Sequence, residues 1–185
     1  MPCNSQYWKG GAVIMACSIF KVISHSDADN NKLYERLNYI RNPVATDVCM
    51  TCSTFVSCRH PWEEMMLVKR SHLSPCNNTL AGKHFFEYVV SLPCGESYRV
   101  QDFLLCVQEI NRFLSSYSEG HYQTISCVHT NTDNLHAHII VNNIDWLTGK
   151  RFHLSKPCFY EIMENVSNVL QRYGFSVLAA TTMDV

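Results

Sequence analysis

Apolar and polar positions change period several times along the chain, and each change marks an element. "CSIFKVIS" (17–24) is short, β-branched and aromatic, which predicts a first strand. In "DADNNKLYERLNYIRNP", Leu33, Leu37 and Ile40 recur at helical spacing, Asp29 or Asn30 offers a cap, and Asn42-Pro43 ends the run. Residues 44–60 show no sustained period and read as irregular. "PWEEMMLVKRSH" predicts a helix entered through proline, with glutamates in its first turn. A polar loop (71–83) precedes "KHFFEYVVSL", a strand, and "PCGE" turns the chain into the amphipathic pattern of 97–117. "TISCVH" (124–129) and "HAHIIVNNID" (136–145) are apolar runs separated by "TNTDN", which has the chemistry of a turn. "DWLTGKRFHL" predicts a tight turn and another short strand, and "SKPCFYEIMENVSNVLQRYG" a helix stopped at Gly174. The order strand, helix, helix, strand, helix, hairpin, helix predicts an α+β fold with a central antiparallel sheet and flanking helices.

Composition narrows this picture. A chain of 185 residues that is 46% hydrophobic suits one domain with a real core. The expected division is an N-terminal extension over 1–16, with Met15 as an alternative natural start, and one domain over 17–185. Ten cysteines are scattered, with a single C-x-x-C (Cys49, Cys52), so they read as reduced thiols, Cys106 and Cys127 as small core residues. A zinc site from Cys49, Cys52, Cys58 and His60 is the alternative for that segment. No apolar stretch reaches membrane-spanning length, and a cytoplasmic protein without membrane insertion is expected. A net charge of −1 argues against broad nucleic-acid binding, so any DNA contact needs local patches such as Lys69-Arg70 or Lys150-Arg151.

The chemistry concentrates in "CVHTNTDNLHAHIIVNNID" (127–145), which holds three of the nine histidines. Side chains alternate along a strand, so His136, His138 and Asn142 share one face and Ala137, Ile139 and Val141 the other. A hairpin at the intervening turn returns His129 beside the pair. Three neutral nitrogen donors on a rigid sheet, with coordination positions left open, are the pattern of a catalytic metal site.

Three blocks then resemble the conjugative relaxases of the MobA type within the HUH endonucleases. They are "LNYIRNPVAT" (37–46), "HFFEYVVSLPCGES" (84–97), and the histidine block followed by "TGKRFHLSK", in the family's order and spanning about 17–175. The resemblance implies the nuclease domain of a longer protein that nicks one DNA strand at an origin of transfer. It implies a divalent cation, Mn or Mg, on His129, His136 and His138. It also implies a tyrosine nucleophile that becomes joined to the 5′ end, so that the strand can later be religated. Single-stranded or hairpin DNA, accessory mobilization proteins and a type IV secretion system are the implied partners.

Tyr39 matches the family's tyrosine, with Tyr34 as its rival. The two are five residues apart and so about 140° apart around a helix, which keeps both from facing one site. Tyr39 lies beside the helix end, and Tyr34 is expected one turn deeper. Two positions depart from the family pattern. Asn131 stands where relatives carry an acid that orients the first histidine, and Asp133 is a nearby substitute. Glu87 stands where many have a histidine, either as a base or extra ligand facing the site or as a solvated edge-strand carboxylate. Asn142, Lys150 and Arg151 are the expected DNA contacts, with Phe152 or Trp146 stacking on splayed bases.

Three other readings compete. A rolling-circle initiator or transposase of the same superfamily would place its tyrosine after the H-x-H pair, at Tyr160 or Tyr173. A module that binds an origin hairpin without cutting it would need no nucleophile. An unrelated three-histidine metal hydrolase would leave no protein–DNA adduct.

Overall fold

The computed structural model describes residues 17–23, 29–94 and 97–176. The extension over 1–16 and its Met15 lie outside them, as do residues 177–185. Five strands form one antiparallel sheet: β1 (Ile19–Ile23), β2 (Thr51–Thr54), β3 (Phe85–Ser91), β4 (Tyr122–His129) and β5 (His136–Asp145), in the order β1-β3-β5-β4-β2. Four helices flank it: α1 (Asn30–Ile40), α2 (Pro61–Ser71), α3 (Val100–Ser115) and α4 (Lys156–Arg172). The expected α+β architecture is therefore what forms.

Local chemistry explains the helix ends. The Asp29 side chain accepts from the Lys32 backbone N–H at 2.8 Å and caps α1, and Ser155 caps α4 in the same way. Pro61 opens α2, with Glu63 and Glu64 in the first turn and Lys69 and Arg70 in the last, the arrangement that opposes the helix dipole. Residues 44–60, read as irregular, contain a 3₁₀ turn at Val48–Met50 and the edge strand β2. "TCST" has no large apolar residue to announce a strand; its pairing with β4, Thr51 opposite Cys127 through Thr54 opposite Thr124, supplies what local pattern does not. The strand expected after Gly149 is only a bridge between Ile144 and Arg151.

The sheet separates two cores. On one face α3 and α4 bury Phe103, Val107, Ile110, Phe159, Ile162 and Val166 against Val90, Val128, Ala137, Ile139 and Val141. On the other, Leu33, Leu37 and Ile40 of α1 and Met65 of α2 pack on Phe85, Ile125, Cys127 and Ile140. The alternation along β5 divides its residues between these cores as the period of two requires. Cys106 and Cys127 are buried in them, as expected. The proposed zinc set does not gather: Cys52 bonds Ser126, Cys58 bonds Ser53, and among the described residues the one metal-competent cluster lies elsewhere. No described helix is long and apolar enough to cross a membrane.

Candidate active site

His129 closes β4 and His136 opens β5, directly opposite one another in register; His138 lies two residues further along the same face. The ring centroids are 5.1, 4.8 and 5.4 Å apart for the pairs 129–136, 129–138 and 136–138. One nitrogen from each ring lies within 4.8 Å of the others, close enough to share one ion.

Each imidazole is also held from outside. His129 Nε2 donates to the Ile40 carbonyl at 2.8 Å, one of the orphan acceptors at the end of α1. His136 Nδ1 donates to the Asn134 carbonyl at 2.9 Å, and His138 Nδ1 to Glu87 Oε1 at 2.8 Å. With its N–H spent in this way, every ring keeps a lone pair on its other nitrogen, which is the tautomer a metal needs. Burial pushes the pKa of His129 and His136 down, more than their backbone hydrogen bonds raise it, so both favour the neutral ligand form. The donor set thus fits a divalent cation, and three neutral ligands would leave its charge available to an anionic substrate.

The end of α1 brings Tyr39 to this cluster. Its ring centroid lies 5.4 Å from that of His138 and 5.9 Å from that of His129, and the residue is 48% exposed. The Asn-Pro stretch fixes the approach: Ala45 and Thr46 N–H groups close back on the Asn42 carbonyl, and Thr130 N–H donates to the Ala45 carbonyl beyond His129. Tyr34 points elsewhere, its ring 5.7 Å from that of Trp62. It is 52% exposed, so it is not held deeper than Tyr39; the helical rotation separates the two, not depth. Tyr160 sits on α4, which packs on the opposite face of the sheet.

Other expected site residues need correction. Glu87 is not a solvated edge carboxylate. β3 is interior between β1 and β5, Glu87 is fully buried, and both its oxygens are engaged, by His138 and by Arg36 at 2.8 and 2.6 Å. Asn131 is exposed in the turn, and the role of orienting the first histidine falls to Ile40, because the end of α1 packs directly beneath His129. Asp133 is likewise exposed. Asn142 shares the histidines' face but is fully buried: it accepts from Lys69 Nζ and donates to Gln123 Oε1 at 2.9 Å, so it is not a DNA contact. Lys69 is buried with it, donating also to Asn143 Oδ1 at 2.7 Å and the His84 carbonyl at 2.8 Å, which removes it from any basic surface. Phe152 cannot stack on bases, being packed against Phe86, Tyr117 and Tyr122.

Lys150, Arg151 and Trp146 remain exposed, but beyond the far end of β5. Nine strand steps of about 3.3 Å put them roughly 30 Å from His136. Arg151 is also occupied there, donating to the Asn78 and Ala81 carbonyls at 2.6 and 2.9 Å. Sequence reasoning missed Arg36, which touches both Glu87 and Tyr39; its i, i+3 spacing to Tyr39 on a helix was the available signal.

Comparison with known proteins identifies the family and the fold. Residues 39–175 match the family model for the nuclease domain of MobA/VirD2-like relaxases. The protein rlx of Staphylococcus aureus is 30% identical over 56 residues, a segment making up 30% of this chain and 17% of that protein. The fold resembles Mn-bound crystal structures of the MobM relaxase domain in complex with origin-of-transfer DNA of plasmid pMV158. Two of them share 12% identity with TM-scores of 0.55 and 0.59, each covering 90% of this chain and 92 and 91% of theirs. Since the family model takes in both Tyr39 and the three histidines and runs through most of the chain, the protein belongs to the MobA/VirD2-like relaxases, and these residues form their nuclease domain.

Proposed function

We propose that the protein nicks one strand of DNA at an origin of transfer, using Tyr39 as nucleophile and a divalent cation, Mn or Mg, on His129, His136 and His138. The observation that carries this reading is the Tyr39 ring, half-exposed and within 6 Å of two of the three histidines. A cation bound there would supply positive charge to the phosphate and orient it for attack.

The residues do the rest. The Tyr39 oxygen gives its proton to solvent and forms a bond to phosphorus. The 3′ oxygen leaves with the bonding electrons and takes up a proton. One phosphodiester is exchanged for another, a 5′-phosphotyrosine and a free 3′ hydroxyl, so the reverse reaction religates the strand. Glu87 holds His138, and the Ile40 and Asn134 carbonyls hold the other two rings, so the ligands need not reorganise when phosphate arrives. The scissile bond must be unstacked to enter, which favours single-stranded DNA or a hairpin with a single-stranded tail over plain duplex. Action within a longer mobilization protein, with accessory proteins and a secretion system, belongs to the same proposal.

The test is incubation with Mn²⁺ and an origin oligonucleotide, followed by a denaturing gel. Wild type and Tyr34→Phe should form a covalent protein–DNA adduct, and Tyr39→Phe should not. An adduct mapped to Tyr34, or one that survives Tyr39→Phe, overturns the assignment. Tight binding of the oligonucleotide with no adduct from wild type would favour a binding module.

A further inference from the structure

Arg36 lies one turn before Tyr39 on α1, and its guanidinium does two things at once. Nε and Nη2 donate to the two oxygens of Glu87 at 2.8 and 2.6 Å, a bidentate clamp on a fully buried carboxylate. The same guanidinium carbon lies 4.1 Å from the centroid of the Tyr39 ring. Glu87 in turn holds His138 Nδ1 at 2.8 Å. One planar cation therefore joins the tyrosine to the histidine cluster through a single carboxylate.

Three physical consequences follow. The clamp sets a positive charge directly against the fully buried Glu87 carboxylate. It fixes the carboxylate, and so the rotation of His138. And it gives Tyr39, a half-exposed side chain at a helix end, a flat cation to rest on. The other rings that meet the phenol, those of His129 and His138, lie tilted or edge-on to it.

We infer that Arg36 is a positioning residue of the nicking reaction: it sets the Tyr39 phenol and the Glu87–His138 pair in one frame, so that nucleophile and phosphate-binding cluster meet in register. The inference rests on the tyrosine assignment above. The planar fork of the Arg36 guanidinium serves both contacts; lysine could keep the charge but neither the bidentate geometry nor the stack.

The experiment compares Arg36→Ala and Arg36→Lys with wild type and Tyr39→Phe in four measurements: thermal midpoint, Mn²⁺ affinity, affinity for the uncut origin oligonucleotide, and single-turnover adduct formation at saturating DNA. Displacement of a nucleophile by about 1 Å costs on the order of 100-fold, and that is the expected loss of rate in Arg36→Ala, with DNA affinity unchanged. Arg36→Lys should fall between, and its retained charge guards against a variant that fails to fold. Added guanidinium should restore part of the rate in Arg36→Ala, which a structural role would not allow. In the metal-free protein, the ¹⁹F resonance of 3-fluorotyrosine incorporated for Tyr39 should move toward the value of a solvated ring on Arg36→Ala. A wild-type rate in Arg36→Ala overturns the inference. So does a parallel loss of thermal midpoint, Mn²⁺ and DNA binding without guanidinium rescue, which would make Arg36 a fold residue. If Tyr39→Phe still forms an adduct, the tyrosine assignment itself fails; if Tyr39→Phe is dead and Arg36→Ala is normal, only the inference does.

Discussion

The two faces of the sheet are built from the same strands but from different chemistry. Beneath α3 and α4, the strands present Val90, Val128, Ala137, Ile139 and Val141, and the core they join is almost wholly apolar. Beneath α1 and α2, the neighbouring residues of those strands are Glu87, His129, His136, His138 and Asn142, interleaved with a smaller cluster of Phe85, Ile125, Cys127 and Ile140. Burial of apolar area contributes most to stability, and buried polar groups contribute only when every partner is present. The first face can therefore hold the fold while the second carries groups that are costly to bury but competent for chemistry. On the second face the polar groups around the site are answered: Glu87 by Arg36 and His138, Asn142 by Lys69 and Gln123, His129 by Ile40.

The comparison breaks most visibly at the metal cluster. Removal of divalent cations with a chelator, or replacement of His129, His136 and His138 together by alanine, should abolish adduct formation and the bound ion. The folded state should survive, since the α3/α4 core is untouched. Metal analysis and circular dichroism check both halves; full metal stoichiometry in the triple variant would remove the cluster from consideration.

The converse experiment is Phe103→Ala on the opposite face. Phe103 is fully buried, and its truncation should cost about 3–5 kcal/mol in urea unfolding. At urea concentrations below the unfolding transition the adduct rate should remain that of wild type. A rate that falls in step with stability would mean the faces are not separable.

Lys69 sharpens the contrast within the polar face. Burial, with the nearby Arg151 charge adding to it, lowers its pKa from the usual lysine value to about 7. The folded protein then binds fewer protons than the unfolded chain between about pH 7 and the unperturbed lysine value near 10.4, so this group costs stability below that window and the cost is relieved as pH rises through it. Lys69→Met should strand the oxygens of Asn142, Asn143 and His84, at about 1–3 kcal/mol for an unsatisfied buried group. The gap between wild type and Lys69→Met, followed by denaturation at pH 7 and pH 9.5, should widen at the higher pH. A gap that stays constant or narrows would show that Lys69 is charged in the fold throughout.

The smallest effect is the most diagnostic. Asp29→Ala and Ser155→Ala each remove a helix cap, one on α1 and one on α4, and each should cost about 1 kcal/mol of stability. Only α1 carries Arg36 and Tyr39, so only Asp29→Ala should also slow adduct formation. Equal rates in the two variants would show that fraying at the start of α1 does not reach its end.

The sequence by itself determined what depends on periods and near neighbours. The H-x-H pair shares a face because a strand alternates, His129 returns because the turn chemistry of "TNTDN" closes a hairpin, and Leu33, Leu37 and Ile40 form a stripe because a helix turns about every 3.6 residues. The caps at Asp29 and Ser155 are equally local. Tertiary structure decided which partners meet across long stretches of chain. Glu87 became a buried support for His138 only because β1 covers the outer edge of β3 and α1 delivers Arg36 from 51 residues away. Asn142 lost its place on the surface because Lys69 of α2 lies over it, and β2 exists because β4 offers it a free ladder. None of these has a signal in its own neighbourhood. Pairing between distant segments is set by which surfaces the packed helices and strands bring together, and a polar residue reads the same in sequence whether water or a buried partner will satisfy it.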